Sequence, residues 1–282
     1  MKIITVINAK GGCGKSTIAM SLASGLALRG HRTLLIDFDP QAQISQWLGL
    51  GDGLSPAGTL VPAMEGSVTL ESIIQPTAFE NLTFIASSQQ LEDLGRQITD
   101  TEGYQTILTR LLASLTQPID FVVIDSPNQI SPVMENCIFP TDVFVVPFES
   151  TKAVRSYANF YQLLLKHRAE DDYRVLHVLS NLSRQPGLRR RVIETLDLHG
   201  IPPARTEVRT CGWLAQVDEN RGNIFIYRPH SKGAEDMSAL TDEVLETLGM
   251  SAPPIAIEMP AVAETPEQNY QITIEPNHDP IA

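Results

Sequence analysis

Asn8-Ala9-Lys10-Gly11-Gly12-Cys13-Gly14-Lys15-Ser16-Thr17 is the stretch on which the fold of this 282-residue chain turns. A phosphate-binding loop asks for a glycine, four further residues and then Gly-Lys-Ser/Thr, set between a strand and a helix. The second half of that formula is met at Gly14-Lys15-Ser16. The first half is altered: the leading glycine would fall at position 9, which is alanine, and an extra lysine and a glycine pair follow it. The context fits a loop of this kind. Residues 2–7 are a short β-branched run, and residues 15–29 place Ile18, Leu22 and Leu26 four apart, on one helix face. Glycines at 11, 12 and 14 let backbone N–H groups turn toward phosphate oxygens, and the helix N-terminus adds its dipole. Lys15 neutralises phosphate charge, Ser16 offers a hydroxyl to a Mg²⁺ shell, and Cys13 occupies a variable position.

Outward from the loop, strand and helix patterns alternate. Gly30 stands where a helix C-terminal glycine is expected, and residues 33–38 are the second strand. Strand, helix and strand within about forty residues make a βαβ unit with parallel strands and a right-handed crossover. Residues 49–59 read as a loop and 70–74 as a short helix. Strands are predicted at 82–86, 119–124, 143–147 and 174–179, and helices at 103–115, 152–168, 187–199 and 234–248. Residues 224–227 read as a short extended piece. The run at 119–124 is continuously apolar, which suits a central parallel strand covered on both faces. The expected fold is α/β: a doubly wound, mostly parallel sheet with helices on both faces. It forms one domain over residues 1–249. Residues 250–282 hold six prolines and five acids with no Lys or Arg. They read as a disordered acidic tail, either simply solvated or partner-binding.

Two further strand ends carry carboxylates. Ile36-Asp37-Phe38-Asp39-Pro40-Gln41 puts two of them at spacing two beyond the second strand. There they can hold Mg²⁺-bound water and orient a nucleophile. Phe121-Val122-Val123-Ile124-Asp125 is an apolar strand ending in Asp125, a position that holds Mg²⁺ through water.

Composition narrows the function. Apolar residues make 43% and charged residues 19%, as in ordinary globular proteins. No run approaches the roughly 18 apolar residues of a membrane span. Three cysteines without a CxxC pair, and histidines without ligand spacing, exclude a disulfide framework, a structural zinc site and an iron–sulfur centre. The net charge is −12, yet residues 152–232 carry 14 Lys/Arg against 8 Asp/Glu, while the rest carries 7 against 25. Such asymmetry marks either an anion-binding face or a solvated charged one.

Lys10-Gly11-Gly12-Cys13-Gly14-Lys15-Ser16 resembles the deviant Walker A pattern of the ParA/MinD family of P-loop ATPases, and Asp37-Phe38-Asp39-Pro40-Gln41 is similar to that family's Asp-x-Asp-Pro-Gln. The resemblance implies ATP and Mg²⁺ as ligands, and a homodimer closed over two nucleotides in which Lys10 reaches the partner's ATP. It gives Asp39 the attacking water and Asp37 the outer Mg²⁺ shell and nucleotide sensing; Ser16 and Asp125 would also hold the metal. The family's Asp-x-Pro-Pro becomes Asp125-Ser126-Pro127-Asn128 here, which loses the second proline. The stretch at 227–236 is similar to the Pro-x-Ser-Lys-Gly-Ala-x-Asp of small ParA proteins, which places Pro229 against adenine. Asn181 ends a strand, where its amide either reads an adenine edge or only terminates the strand.

The resemblance also implies a task. No helix-turn-helix precedes the loop, so operator binding is not expected. Arg184, Arg189, Arg190 and Arg191 open a helix, with Arg205 and Arg209 beyond, a cluster that either contacts phosphates without sequence preference or is a solvated helix face. The stretch at 206–209 resembles the region where ParA proteins carry DNA-contacting arginines, which implies nonspecific DNA binding. The expectation is a cytoplasmic partition ATPase, nucleoid-associated when ATP-bound and released when a ParB-like partner stimulates hydrolysis. Positioning of a protein cargo or organelle is the alternative. A MinD-like membrane switch needs a basic amphipathic C-terminal helix, which the acidic tail lacks, so no membrane partner is expected.

Overall fold

The computed structural model describes residues 1–48, 55–216 and 223–253. Most of the tail reading (254–282) and part of the predicted loop (49–54) lie outside the described residues. Seven strands form one sheet: β1 (Lys2–Val6), β2 (Thr33–Asp37), β3 (Gln75–Pro76), β4 (Leu82–Ile85), β5 (Phe121–Asp125), β6 (Val143–Phe148) and β7 (Arg174–Leu179). Their order is β3-β4-β2-β5-β1-β6-β7, parallel throughout except for β3, which pairs antiparallel with β4 at one edge. Pro76 cannot donate to a ladder, and an edge strand tolerates that.

The helices are α1 (Lys15–Ala27), α2 (Gln43–Trp47), α3 (Leu60–Met64), α4 (Gln90–Gln97), α5 (Ile107–Ala113), α6 (Pro132–Asn136), α7 (Thr151–His167), α8 (Pro186–Leu198), α9 (Ile224–Tyr227) and α10 (Lys232–Thr247). Alternate strand residues feed two cores, one on each face. Ile4, Val6, Phe121, Val123, Val143 and Val145 pack with α1, α9 and α10. Ile3, Val122, Ile124, Phe144, Val146 and Phe148 pack with α3 through α8. Both faces are covered, which is why the strands lack polar alternation.

One expectation shifts and two gain detail. The first βαβ unit is parallel as expected, and β5 lies between its strands β1 and β2. Residues 224–227 are helical, because the Asn223 side chain accepts from the Phe225 N–H and starts a turn; four apolar residues cannot distinguish strand from helix by pattern. The third concerns α1, which shows no single apolar face. It is buried nearly all round, since α10 covers the side away from the sheet. Arg29 ties the two helices, donating to the Gly25 carbonyl at 2.8 Å and to Asp242 at 2.5 Å. Gly30 has φ +82° and its N–H meets the Ala27 carbonyl at 2.9 Å, the left-handed stop expected of it.

Candidate functional site

The functional side chains gather at the carboxyl edge of β2, β5 and β1. The register sets Asp125 beside both Val6 and Asp37. Residues 8–14 leave β1 there and turn into α1. Gly12 and Gly14 have φ of +75° and +89°, a conformation that side chains with a Cβ rarely adopt. Gly14 is the α1 N-cap and brings no side chain to it. Among the described residues, the N–H groups of Gly11, Gly12 and Gly14 donate to no protein acceptor. Inward-turned, unpaired amides at a helix N-terminus suit a phosphate.

Lys15 is buried, its ammonium donating to the Lys10 carbonyl at 3.1 Å. Lys10 folds back on its own subunit: its Nζ lies 2.5 Å from Glu149 Oε1 and 3.2 Å from the Gly11 carbonyl. Cys13 is buried, its thiol donating to the Lys10 carbonyl at 3.2 Å, and burial pushes its pKa up against the pull of Lys15. It stays a neutral thiol.

The three carboxylates differ in what holds them. Asp37 is fully buried; its Oδ2 accepts from the Ser45 N–H at 3.0 Å and from the Ser45 hydroxyl at 2.8 Å. Burial raises its pKa to about 7 even so, with Asp39 adding to the rise. Asp39 is held by the Gln41 N–H at 2.9 Å and is raised by burial, against Lys15. Asp125 is fully buried, and neither of its oxygens has a hydrogen-bond partner. Burial and then neighbouring Asp37 drive its pKa well up; the Ser16 hydroxyl is near enough to draw it down but makes no well-formed hydrogen bond. A buried carboxylate with two orphaned oxygens beside a serine hydroxyl and two further acids fits a hydrated divalent cation. Asp37, whose Oδ2 is engaged by Ser45, is less free for that work than Asp125.

Two adjoining cavities follow the loop. A cavity of 560 Å³ is lined by Gly11, Lys15, Ser16, Thr17, Asp39 and Asn128, with glutamines 41, 43 and 46 and Trp47. It joins the phosphate loop to Asp39. A smaller one of 130 Å³ lies beyond Cys13 and Thr17 and is lined by Asn181, Val208, Arg209, Leu214 and Met237. Asn181, at φ +57°, lies two residues past the end of β7 and lines this cavity. Pro229 is half-buried in the turn before α10 and lines neither cavity.

The arginines divide. Arg189 pairs with Glu207 at 2.8 Å, and Arg190 with Glu194 at 2.8 Å one helical turn on. Arg209 is held by Asp236 at 2.6 Å and Glu235 at 3.2 Å. Arg184 and Arg191 are exposed and have no acidic partner among the described residues. Acids from α8, α10 and Glu207 thus neutralise part of the basic surplus that the sequence shows.

Sequence reasoning did not find Glu149 or Ser45, nor what Asp236 does. Glu149 had a visible signal, a carboxylate at the end of the apolar run 143–148. Asp236 closes the motif at 227–236, but its pairing with Arg209 comes only from tertiary contact. Ser45 had no signal, because only tertiary contact gives it its partner.

A family model described as an AAA domain matches residues 1–170, more than half of the chain. The chain belongs to that family. The resemblance of residues 10–16 to the ParA/MinD P-loop ATPases agrees with its relatives. It is 32% identical over 148 residues to the chromosome-partitioning ATPase Soj of Treponema pallidum, covering 52% of this chain and 57% of that one. It is 27% identical over 248 residues to the sporulation initiation inhibitor protein Soj of Bacillus subtilis, covering 86% of this chain and 98% of that one. Among solved structures, apo McdA from Cyanothece superposes with a TM-score of 0.76 at 20% identity, over 86% of this chain and 99% of that one. At that identity the likeness speaks for the doubly wound fold alone. No helix among the described residues is long and apolar enough to cross a membrane.

Proposed function

We propose that this chain is a ParA-type ATPase that partitions DNA, binding Mg²⁺–ATP as a homodimer and holding DNA nonspecifically in that state. The observation that carries the reading is the convergence of Lys15, Ser16, Asp39 and Asp125 on one loop whose amides have no protein partner. The amides of residues 11–14 and Lys15 would hold the phosphates. Ser16 and Asp125 would hold Mg²⁺, with Asp37 behind them and Thr17 beside them. Bound Mg²⁺ would neutralise charge on the phosphates during transfer. Asp39 would orient the water, and the 130 Å³ cavity with Asn181 would take the base. Lys10 acts in the partner's site only after leaving Glu149, so nucleotide-driven pairing must break that contact. ATP hydrolysis, stimulated by a ParB-like adaptor, would open the dimer and release DNA. The ATP-bound form would then sit on the nucleoid and the ADP form in the cytoplasm.

The DNA face is proposed around Arg184 and Arg191, the two cations of the cluster without acidic partners. The test is DNA retention with ATP, ADP or no nucleotide at several salt concentrations, comparing the native chain with Arg184→Glu/Arg191→Glu. Retention should require ATP and Mg²⁺, should fall steeply with salt and should be lost in the double variant while ATP turnover persists. Equal retention in all three nucleotide states removes the switch. Unchanged retention in the variant removes the DNA face.

A further inference from the structure

Asn128 stands three residues past Asp125, where the resembling family carries its second proline. It lines the 560 Å³ cavity with Lys15, Ser16 and Asp39. Its Nδ2 is 3.8 Å from the point where a Cβ on Gly11 would lie, so the carboxamide overhangs the first glycine of the phosphate loop. The residue is half-buried, and its amide has no hydrogen-bond partner among the described residues. Its backbone follows a fully buried strand end and the buried residues Ser126 and Pro127, which fix where the side chain starts. The glutamines across the cavity are placed differently. They belong to the stretch around α2, and the Gln46 amide already turns to the Gln41 carbonyl.

We propose that Asn128 supplies a hydrogen-bonding group to the terminal phosphate of a bound nucleoside triphosphate and to the water that attacks it. The inference rests on the ATPase reading above. In the reaction the water oxygen bonds to the terminal phosphorus as the bond to the bridging oxygen breaks. The products are nucleoside diphosphate and inorganic phosphate, which keeps the oxygen of the water; the water's proton passes to a phosphate oxygen. A carboxamide takes no proton in this step. Its Nδ2–H donates to a terminal phosphate oxygen and its Oδ1 accepts from the water, which a proline at this position could not do. ADP lacks the third phosphate, so a contact to it separates triphosphate from diphosphate binding.

The test compares native protein with Asn128→Ala and Asn128→Ser, measuring affinity for ADP, affinity for a non-hydrolysable ATP analogue, and ATP turnover. Asn128→Ala should leave ADP affinity within about twofold and weaken the analogue about tenfold, as for loss of one hydrogen bond to a charged group. Turnover should fall about tenfold or more. Asn128→Ser, which keeps a donor and an acceptor, should recover part of both. An analogue-to-ADP affinity ratio within about twofold of native in Asn128→Ala overturns the proposal. Equal weakening of ADP and analogue also overturns it, because that pattern belongs to a structural residue. If native protein binds both nucleotides without hydrolysing ATP, the ATPase reading falls and the affinity ratio alone judges Asn128. If native protein binds neither, both readings fall.

Discussion

Gly25 lies in the last turn of α1 and faces Thr241 of α10. A Cβ at Gly25 would stand 2.5 Å from Thr241 Oγ1 and 3.3 Å from both its Cβ and its Cγ2. Thr241 is fully buried, and its hydroxyl donates to the Met237 carbonyl at 2.8 Å. Rotating it would exchange the hydroxyl for a methyl and would not open space. Arg29 clamps the helices from the next turn, so Gly25→Ala must force them apart. Overpacking of this kind costs about 1–3 kcal/mol. Alanine returns about 1 kcal/mol of helix propensity. The net expectation is a loss of about 0–2 kcal/mol, with Tm lowered by about 2–4 °C for each kcal/mol. Urea denaturation of Gly25→Ala, Thr241→Ala and the double variant checks it, because the clash requires both side chains. The double variant should be more stable than the sum of the singles by about 1–3 kcal/mol. Nucleotide affinity should fall in Gly25→Ala as well, since α1 carries Lys15 to Thr17 and α10 carries Met237 of the smaller cavity. A Gly25→Ala variant clearly more stable than native, or strictly additive singles, would refute the packing argument.

Three other outcomes are expected. Lys10→Ala should bind nucleotide within a few-fold of native yet fail to dimerise with ATP in analytical ultracentrifugation; an ATP-dependent dimer of this variant would end the trans role. Asp39→Ala should keep ATP binding and lose turnover by about 10²-fold, so undiminished phosphate release would reject it as the water-orienting group. Asp37 and Asp125 are carboxyls with raised pKa, Asp37 to about 7 and Asp125 well above its ordinary value, so the folded state binds more protons than the unfolded one over a window that opens at the ordinary 3.8. Without metal and nucleotide, stability is therefore greatest below that window and falls as pH rises through it. Asp125→Asn should flatten that fall, by a few kcal/mol at most, and should abolish Mg²⁺-dependent ATP binding. Parallel stability curves for native and variant across the window would remove the repulsion argument.

The loop and the three acids were legible because each ends an apolar run, and apolar runs are what a parallel sheet requires. Fold class followed from the same runs. Partners were not legible. Lys10 reads as an outward-reaching cation, but Glu149, more than a hundred residues on, holds it in place. Arg209 reads as a free surface charge, but Asp236 holds it through a helix whose packing the sequence does not announce. The five-residue helices α2, α3 and α6 escaped because they are too short to show a period. The near-total burial of α1 escaped because Ser21, Ser24 and Gly25 read as polar or neutral, whereas their small size lets α10 approach.

The entry of β5 between β1 and β2 has a temporal consequence. The phosphate loop, Asp37 and Asp39 all lie within the first 39 residues, whereas Asp125 arrives more than eighty residues later. Before that strand is in its slot, β1 and β2 lack the ladder that aligns their carboxyl ends. During synthesis the emerging chain therefore carries the phosphate loop and its first two acids without a complete nucleotide site. ATP can stabilise only chains that have threaded their central strand, so the ligand selects for finished topology over local loop formation.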